Sequence, residues 1–170
     1  MNTVKLKGKI VFDPIDKTKK HILQSSWKII AMIMFEGDVS EYYAWFIKRR
    51  FDINLNKPLR GAHISFINDK VSDIAGNTQE ERAEKWEVLK KKWNKKEVEI
   101  SLNLDSRTNG KHWWLVVPEE ERDLLHLIRS EIGLGRPHFG LHMSLGYANE
   151  RNIAHSEYIH ESIKVGFIKD

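Results

Sequence analysis

The stretch Pro137-His138-Phe139-Gly140-Leu141-His142-Met143-Ser144-Leu145-Gly146-Tyr147 decides how the chain is read, because it sets a histidine and a hydroxyl two residues apart inside an apolar run. On a strand that spacing puts both side chains on one face. Met143 and Leu145 then point to the opposite face, where they can anchor the strand in a core and leave His142 and Ser144 projecting together. A near copy lies earlier, Ala62-His63-Ile64-Ser65-Phe66-Ile67, with the same polar pair and apolar residues at the same offsets. A bare His-x-Ser/Thr tripeptide is expected by chance roughly 0.7 times in this composition and the chain has three, so the tripeptide alone proves little. Requiring apolar residues one and three positions after the histidine lowers that expectation to about 0.1. The motifs at His63 and His142 pass, whereas His160-Glu161-Ser162 fails because Glu161 takes a position that should be buried.

Working outward, 170 residues suit one domain with a proper core. The longest apolar run, Ile29 to Phe35, is strand-length and far short of the roughly 20 residues of a membrane span. The Lys-alternating segment Met1 to Lys9 lacks the apolar stretch of a signal peptide, so a cytoplasmic protein is expected. With no cysteine, a disulfide framework, a zinc ribbon and a cysteine nucleophile are excluded, leaving histidine, hydroxyl and carboxylate for chemistry. A net charge of +4 and a pI near 9.2 favour anionic ligands without the charge density of a duplex-binding protein. Small phosphorylated ligands or RNA ends fit that balance better than long DNA. The densest basic segment, Lys85 to Lys96, reads as a helix with Trp86, Leu89 and Trp93 inward and a solvated basic face.

Residues 4 to 12 and 22 to 35 read as strands around the turn-rich Asp13-Pro14-Ile15-Asp16-Lys17, giving an N-terminal hairpin or strand extension. Asp38-Val39-Ser40-Glu41 is a capping-box pattern before a helix through Arg50 with Tyr43, Phe46, Ile47 and Phe51 inward. A loop from Asn54 to Gly61 leads into the first His-x-Ser strand. A second helix opens at Thr78 with Glu81 completing a capping box and runs to Trp93. Val98 to Leu104 and Lys111 to Val117 read as two strands of a hairpin turned at Asn109-Gly110. Pro118 and three glutamates start a third helix, with Leu124, Leu125, Ile128 and Ile132 inward and Gly133 as its stop. After the second motif come a short amphipathic segment, Ile153 to Ile159, and a last strand, Lys164 to Ile168. Strand, helix and His-x-Ser strand recur about half the chain apart, the layout of a duplicated pseudo-symmetric α+β fold.

Two histidines brought to one cleft form an acid/base pair. Phosphoester cleavage needs a base for the attacking oxygen and an acid for the leaving oxygen, roughly in line across phosphorus. An imidazole with an ordinary pKa of about 6.5 can serve as either near neutral pH. Ser65 and Ser144 would donate to the non-bridging oxygens as charge builds there, an electrostatic role that needs no metal.

The paired motifs His63-Ile64-Ser65 and His142-Met143-Ser144, in opposite halves of an α+β layout, resemble the two-histidine (2H) phosphoesterase superfamily, which includes RNA-ligase-like cyclic phosphodiesterases. The resemblance covers the chain from about residue 27 and implies a bilobal, pseudo-twofold duplicated fold. In it, two antiparallel sheets flank a central cleft with helices outside, and residues 1 to 26 are an addition within a single domain of residues 1 to 170. Leu145-Gly146-Tyr147 further resembles phage enzymes that cleave the cyclic oligonucleotides of bacterial antiviral (CBASS) signalling. Both hydroxyls are serine where threonine is commoner, and Leu141 stands where a Pro-His pair often occurs.

The resemblance implies a phosphodiesterase without cofactor or metal. Such an enzyme would cleave ribonucleotide diesters through His63, Ser65, His142 and Ser144, on cyclic oligonucleotides or RNA ends carrying 2',3'-cyclic phosphates, with no duplex DNA or membrane as partner. Oligomeric state is left open. The alternative is a non-catalytic module that sequesters a nucleotide or RNA end. For substrate contacts, Trp114 either faces the cleft and stacks a base or is a core aromatic, Tyr147 is a base contact or a structural hydroxyl, and Arg136 is a candidate phosphate ligand. His138 reads as a surface or cleft-rim histidine, and His126 as structural.

Overall fold

Alternation of apolar and polar residues builds most of this protein into one antiparallel sheet, with helices covering the face on which the apolar residues collect. The computed structural model describes residues 3–14, 28–37 and 39–150. Among these residues seven strands are hydrogen-bonded in the order β4-β1-β2-β3-β7-β6-β5, where β1 is Thr3–Phe12, β2 Lys28–Phe35, β3 His63–Lys70, β4 Glu97–Asn103, β5 Ser106–Thr108, β6 His112–Val116 and β7 His142–Tyr147. Three α-helices accompany them among the described residues, α1 (Val39–Phe51), α2 (Gln79–Trp93) and α3 (Asp123–Ser130). None of these is long and apolar enough to cross a membrane. The expected segments at residues 22 to 27, 153 to 159 and 164 to 168 lie outside the described residues, as does Asp38 of the first capping box.

The helices dock as their apolar stripes require. Tyr43 and Ile47 of α1, Trp86 and Leu89 of α2, and Leu125 and Ile128 of α3 are buried in one continuous core with Ile64, Phe66, Met143 and Leu145 from the motif strands. At the start of α2 the Glu81 N–H donates to the Thr78 hydroxyl at 3.1 Å. The Glu81 carboxylate reaches one residue further back than an ideal capping box, accepting from the Asn77 N–H at 2.8 Å. The segment after Pro118 forms a 3₁₀ turn, Glu119–Glu121, and α3 begins only at Asp123.

Two expectations are corrected, the separate sheets and the partner of the strand over 97–103. The strands do not stand as two separate sheets: they are continuous, and the two halves meet at β3 and β7 through only the pairs His63↔Ser144 and Ile64↔Met143. Residues 1 to 26 contribute a strand, β1, which lies between β4 and β2, with Ile10 and Phe12 in the core and Lys5, Lys7 and Lys9 on the outer face. The strand over 97–103 does not pair with the strand over 112–116. It pairs along its whole length with β1, and the Asn109-Gly110 turn instead joins β6 to the three-residue β5. Only Leu104 and Asp105 separate β4 from β5, the two strands at opposite edges, so the sheet must curl to bring its edges together. Tyr43 ties this corner to α1, its hydroxyl donating to the Leu104 carbonyl at 2.9 Å, and burial pushes its pKa up to about 12.

Candidate active site

The seam between the two halves is where both motifs lie. Within each, the residues alternate as a one-sided strand must: Ile64 and Phe66, like Met143 and Leu145, are fully buried, while His63, Ser65, His142 and Ser144 are half-buried on the other face. The antiparallel register sets His63 opposite Ser144. The ladder ends at the Ile64↔Met143 pair; carried one position further, the same register would bring Ser65 level with His142. The result is a two-by-two checkerboard in which each histidine has a serine across the strand gap and the histidines occupy one diagonal. Backbone positions on such a diagonal are about 7–8 Å apart, a span in which two imidazoles can reach a phosphate from opposite sides.

Apolar residues bracket the checkerboard. On its β2 side, Met34 pairs with His63 and Met32 with Ser65; on its β6 side, Trp114 pairs with Ser144 and Val116 with His142. Met32 and Trp114 are buried, and the Trp114 and His142 rings lie edge to face with centroids 6.1 Å apart. Trp114 therefore forms cleft wall and floor rather than an exposed stacking platform.

Both imidazoles are held in the same way. His63 Nδ1 lies 2.8 Å from the Gly61 carbonyl and His142 Nδ1 lies 2.6 Å from the Gly140 carbonyl. A carbonyl only accepts, so each Nδ1 carries its proton and each neutral ring leaves Nε2 as its basic atom. The sequence signal was Gly-x-His-x-Ser in both copies: Gly61 and Gly140 each stand two residues before the histidine they orient. Gly61 sits at φ +70°, a left-handed turn that lets the chain double back to present this carbonyl.

Burial lowers the pKa of both histidines below the ordinary value, outweighing the opposing pull of the glycine carbonyls on the protonated rings. The Arg60 charge lowers His63 further; the charges on His63 and His112 lower His142 further. In a His63→Gln variant, the pKa of His142 measured by NMR titration is therefore expected to rise, while staying below that of an exposed histidine because burial is the larger cause. A downward or absent shift would show that the two rings do not sense one another.

The histidines open onto connected space. A cleft of about 710 Å³ is lined by His63, His142 and Ser144 together with His112, Trp114 and Tyr147, and a second of about 310 Å³ is lined by His63, Ser65, His142 and Ser144 with Asn68. His138 and Phe139 border both. Neither serine hydroxyl is engaged by another described residue, so both are available as donors. Arg136 is not brought to either cleft; its exposed guanidinium lies 3.6 Å from Glu119. His126 lines neither cleft, and Tyr42 and Trp45 are exposed on the outer face of α1.

Tyr147 reaches the cleft by a route that simple alternation does not give. Trp114 pairs with Ser144 but Trp113 pairs with Gly146, so β7 carries one extra residue, Leu145, at a bulge. The bulge buries two consecutive residues, Leu145 and Gly146, and returns Tyr147 to the face of His142 and Ser144. A Cβ on Gly146 would lie 2.6 Å from the Asn56 carbonyl, so only glycine lets that loop close on the bulge. Asn56 then fixes the strand end through two backbone hydrogen bonds with Tyr147, of 2.8 and 3.1 Å.

Among the described residues no group of three or more His, Asp or Glu side chains is placed to hold a metal ion. Compared with protein-family models, with curated proteins and with solved structures, the chain matches none.

Proposed function

We propose that this protein is a metal-independent phosphodiesterase of the two-histidine type that cleaves ribonucleotide phosphodiesters, with cyclic oligonucleotides or 2',3'-cyclic phosphate ends as its substrates. The observation that carries the reading is the checkerboard at the β3–β7 seam, with two oriented imidazoles on one diagonal and two free hydroxyls on the other. The finer expectation, a duplicated pseudo-twofold fold, belongs to the same proposal. It is supported by the matching Gly-x-His-x-Ser units on adjacent strands.

For a 3'-5' diester, one histidine takes the proton of the ribose 2'-OH through Nε2 as O2' attacks phosphorus. The other, protonated, gives its Nε2 proton to the departing 5' oxygen as the P–O5' bond breaks, leaving a 2',3'-cyclic phosphate. For a cyclic phosphate, water replaces the 2'-OH as nucleophile and one ring P–O bond opens. The hydroxyls of Ser65 and Ser144 donate to the non-bridging oxygens, and the apolar flanks keep that site low in dielectric, where such bonds count most. Which histidine starts as base follows from how the substrate lies.

The test is turnover of cyclic dinucleotides, cyclic trinucleotides and nucleoside 2',3'-cyclic phosphates in buffer containing EDTA. Turnover of at least one class is expected, with a bell-shaped dependence of kcat/KM on pH. Because both histidine pKa values are lowered, the maximum should fall on the acid side of about 6.5, with activity lost at higher pH as the acid gives up its proton. Tight binding without turnover across the panel would mean a sequestering module instead. Activity abolished by EDTA and restored by zinc or manganese would mean a metallohydrolase.

A further inference from the structure

The bulge that aims Tyr147 has a counterpart in β3. Met32 pairs with Ser65 but the preceding Ala31 pairs with Ile67, so β3 also carries one extra residue, Phe66. In each motif strand the inserted residue directly follows the serine. In each, the pattern is then the same: two consecutive buried residues, Phe66-Ile67 or Leu145-Gly146, followed by an exposed one. Five positions beyond each histidine stands the residue this device turns outward, Asn68 on β3 and Tyr147 on β7. Their side chains line different spaces, Asn68 the smaller cleft and Tyr147 the larger, and both histidines border the two. A bulge interrupts the ladder and re-aims a side chain. Two bulges at matching places thus each aim a residue into one of two clefts that share both histidines.

We infer that Asn68 and Tyr147 are a pair of specificity-determining residues on either side of the scissile phosphorus, and that the substrate is a diester with a nucleoside on both sides. The inference rests on the proposed phosphodiesterase reading for the position of the phosphorus, between His63 and His142. From there a substrate extends into both clefts. The larger, about 710 Å³, is within the range that encloses a whole ligand, and the smaller, about 310 Å³, is at its lower limit. A terminal nucleoside 2',3'-cyclic phosphate extends one way from its phosphorus and leaves the other cleft empty. A dinucleotide unit, linear or within a ring, fills both.

The two residues suit different parts of a base. The ring of Tyr147 lies beside that of His112 at 6.3 Å between centroids, forming an aromatic wall against which a base can stack regardless of identity. The Asn68 side-chain amide makes no hydrogen bond to another described residue. A carboxamide presents a donor and an acceptor side by side, the pattern that reads the N6/N7 edge of adenine. The β7 side therefore tolerates any base, and the β3 side engages a base edge that offers a donor beside an acceptor.

The experiment measures affinity by calorimetry for a 2'-deoxy dinucleoside monophosphate, which lacks the attacking hydroxyl, and for a nucleoside 3'-monophosphate. Wild type, Asn68→Ala, Tyr147→Ala and Tyr147→Phe are compared, after checking that each keeps the wild-type Tm. The dinucleotide is expected to bind about tenfold or more tighter than the mononucleotide, and Asn68→Ala and Tyr147→Ala each to weaken the dinucleotide about tenfold. Tyr147→Phe should retain the affinity because it keeps the ring. The mononucleotide should suffer from only one of the two alanine changes. Equal affinity for the two ligands, or two alanine variants that bind the dinucleotide like wild type, would overturn the inference. The same preparations are assayed for ribonucleotide cleavage. Binding as expected without cleavage leaves the two-sided site standing and removes the catalytic reading. Cleavage that needs both histidines but is indifferent to Asn68 and Tyr147 does the reverse.

Discussion

Alanine at His63 or at His142 is expected to lower kcat on a ribonucleotide phosphodiester by about 10³-fold, within the 10²–10⁴-fold range of a positioned acid or base, with KM changed little. Each ring serves the transition state, where a proton is in flight, more than the ground state, and losses of that kind fall on kcat. Because base and acid act on one event, the double variant should be barely slower than either single one. Both side chains are half-buried on the cleft face and lie outside the hydrophobic core cluster, so the variants should remain folded. Ser65→Ala and Ser144→Ala remove donors to non-bridging oxygens and should also lower kcat, while leaving both limbs of the pH profile in place. Single-turnover kinetics separate these effects from product release. Wild-type rates in either histidine variant would mean that the diagonal pair does not share one phosphorus.

How much of this could be read from the chain alone depends on whether the signal was local. The faces of His63-Ile64-Ser65 and His142-Met143-Ser144 follow from period-two alternation, a property of three to five neighbouring residues. Trp114 on the cleft side follows from the same rule. The direction of Tyr147 does not, since alternation from Ser144 would send it to the core face; the bulge at Leu145 reverses it. A cue was present in the unbroken pairs Phe66-Ile67 and Leu145-Gly146, where two non-polar residues follow the serine before Asn68 or Tyr147.

Strand partners were the least legible feature. Asn109-Gly110 specifies a tight turn, and Thr108 closes it, its hydroxyl donating to the His112 carbonyl at 2.8 Å and accepting from the Gly110 N–H at 2.9 Å. Nothing in the turn states how long the incoming strand is, or that 97–103 pairs with β1 nearly a hundred residues earlier. Such non-local pairing is chosen by which apolar faces collapse together: Val98, Ile100 and Leu102 on β4 join Val4, Leu6 and Ile10 on β1 in the one core.

Arg129→Met is expected to destabilise the protein by about 3–5 kcal/mol, the usual consequence of removing one partner from a buried ion pair, and a large fraction of a domain's roughly 5–15 kcal/mol. Arg129 is only 2% exposed although it lies on the amphipathic helix α3. Its Nη1 and Nη2 donate to the two carboxylate oxygens of Asp69 at 2.7 and 3.2 Å, Nη1 also to the Phe66 carbonyl at 2.8 Å, and Nε to the Gly135 carbonyl at 2.7 Å. Phe66 is the extra residue of the β3 bulge, the one left out of the sheet ladder, so the guanidinium satisfies a carbonyl that the bulge itself orphans. Methionine fills most of the volume but strands the Asp69 carboxylate and that carbonyl together. Lysine keeps the charge yet has no planar fork to reach three acceptors, so Arg129→Lys should recover only part of the loss. The double variant Arg129→Met, Asp69→Leu removes the uncompensated carboxylate and should be more stable than Arg129→Met alone, but less stable than wild type because the Phe66 carbonyl still lacks a donor. Urea denaturation of the four proteins measures the order. If Arg129→Met costs less than about 1 kcal/mol, the guanidinium is not what holds the bulge, and the aim of Asn68 is set by strand packing together with the hydrogen bond its own N–H donates to the Asp69 carboxylate at 3.0 Å.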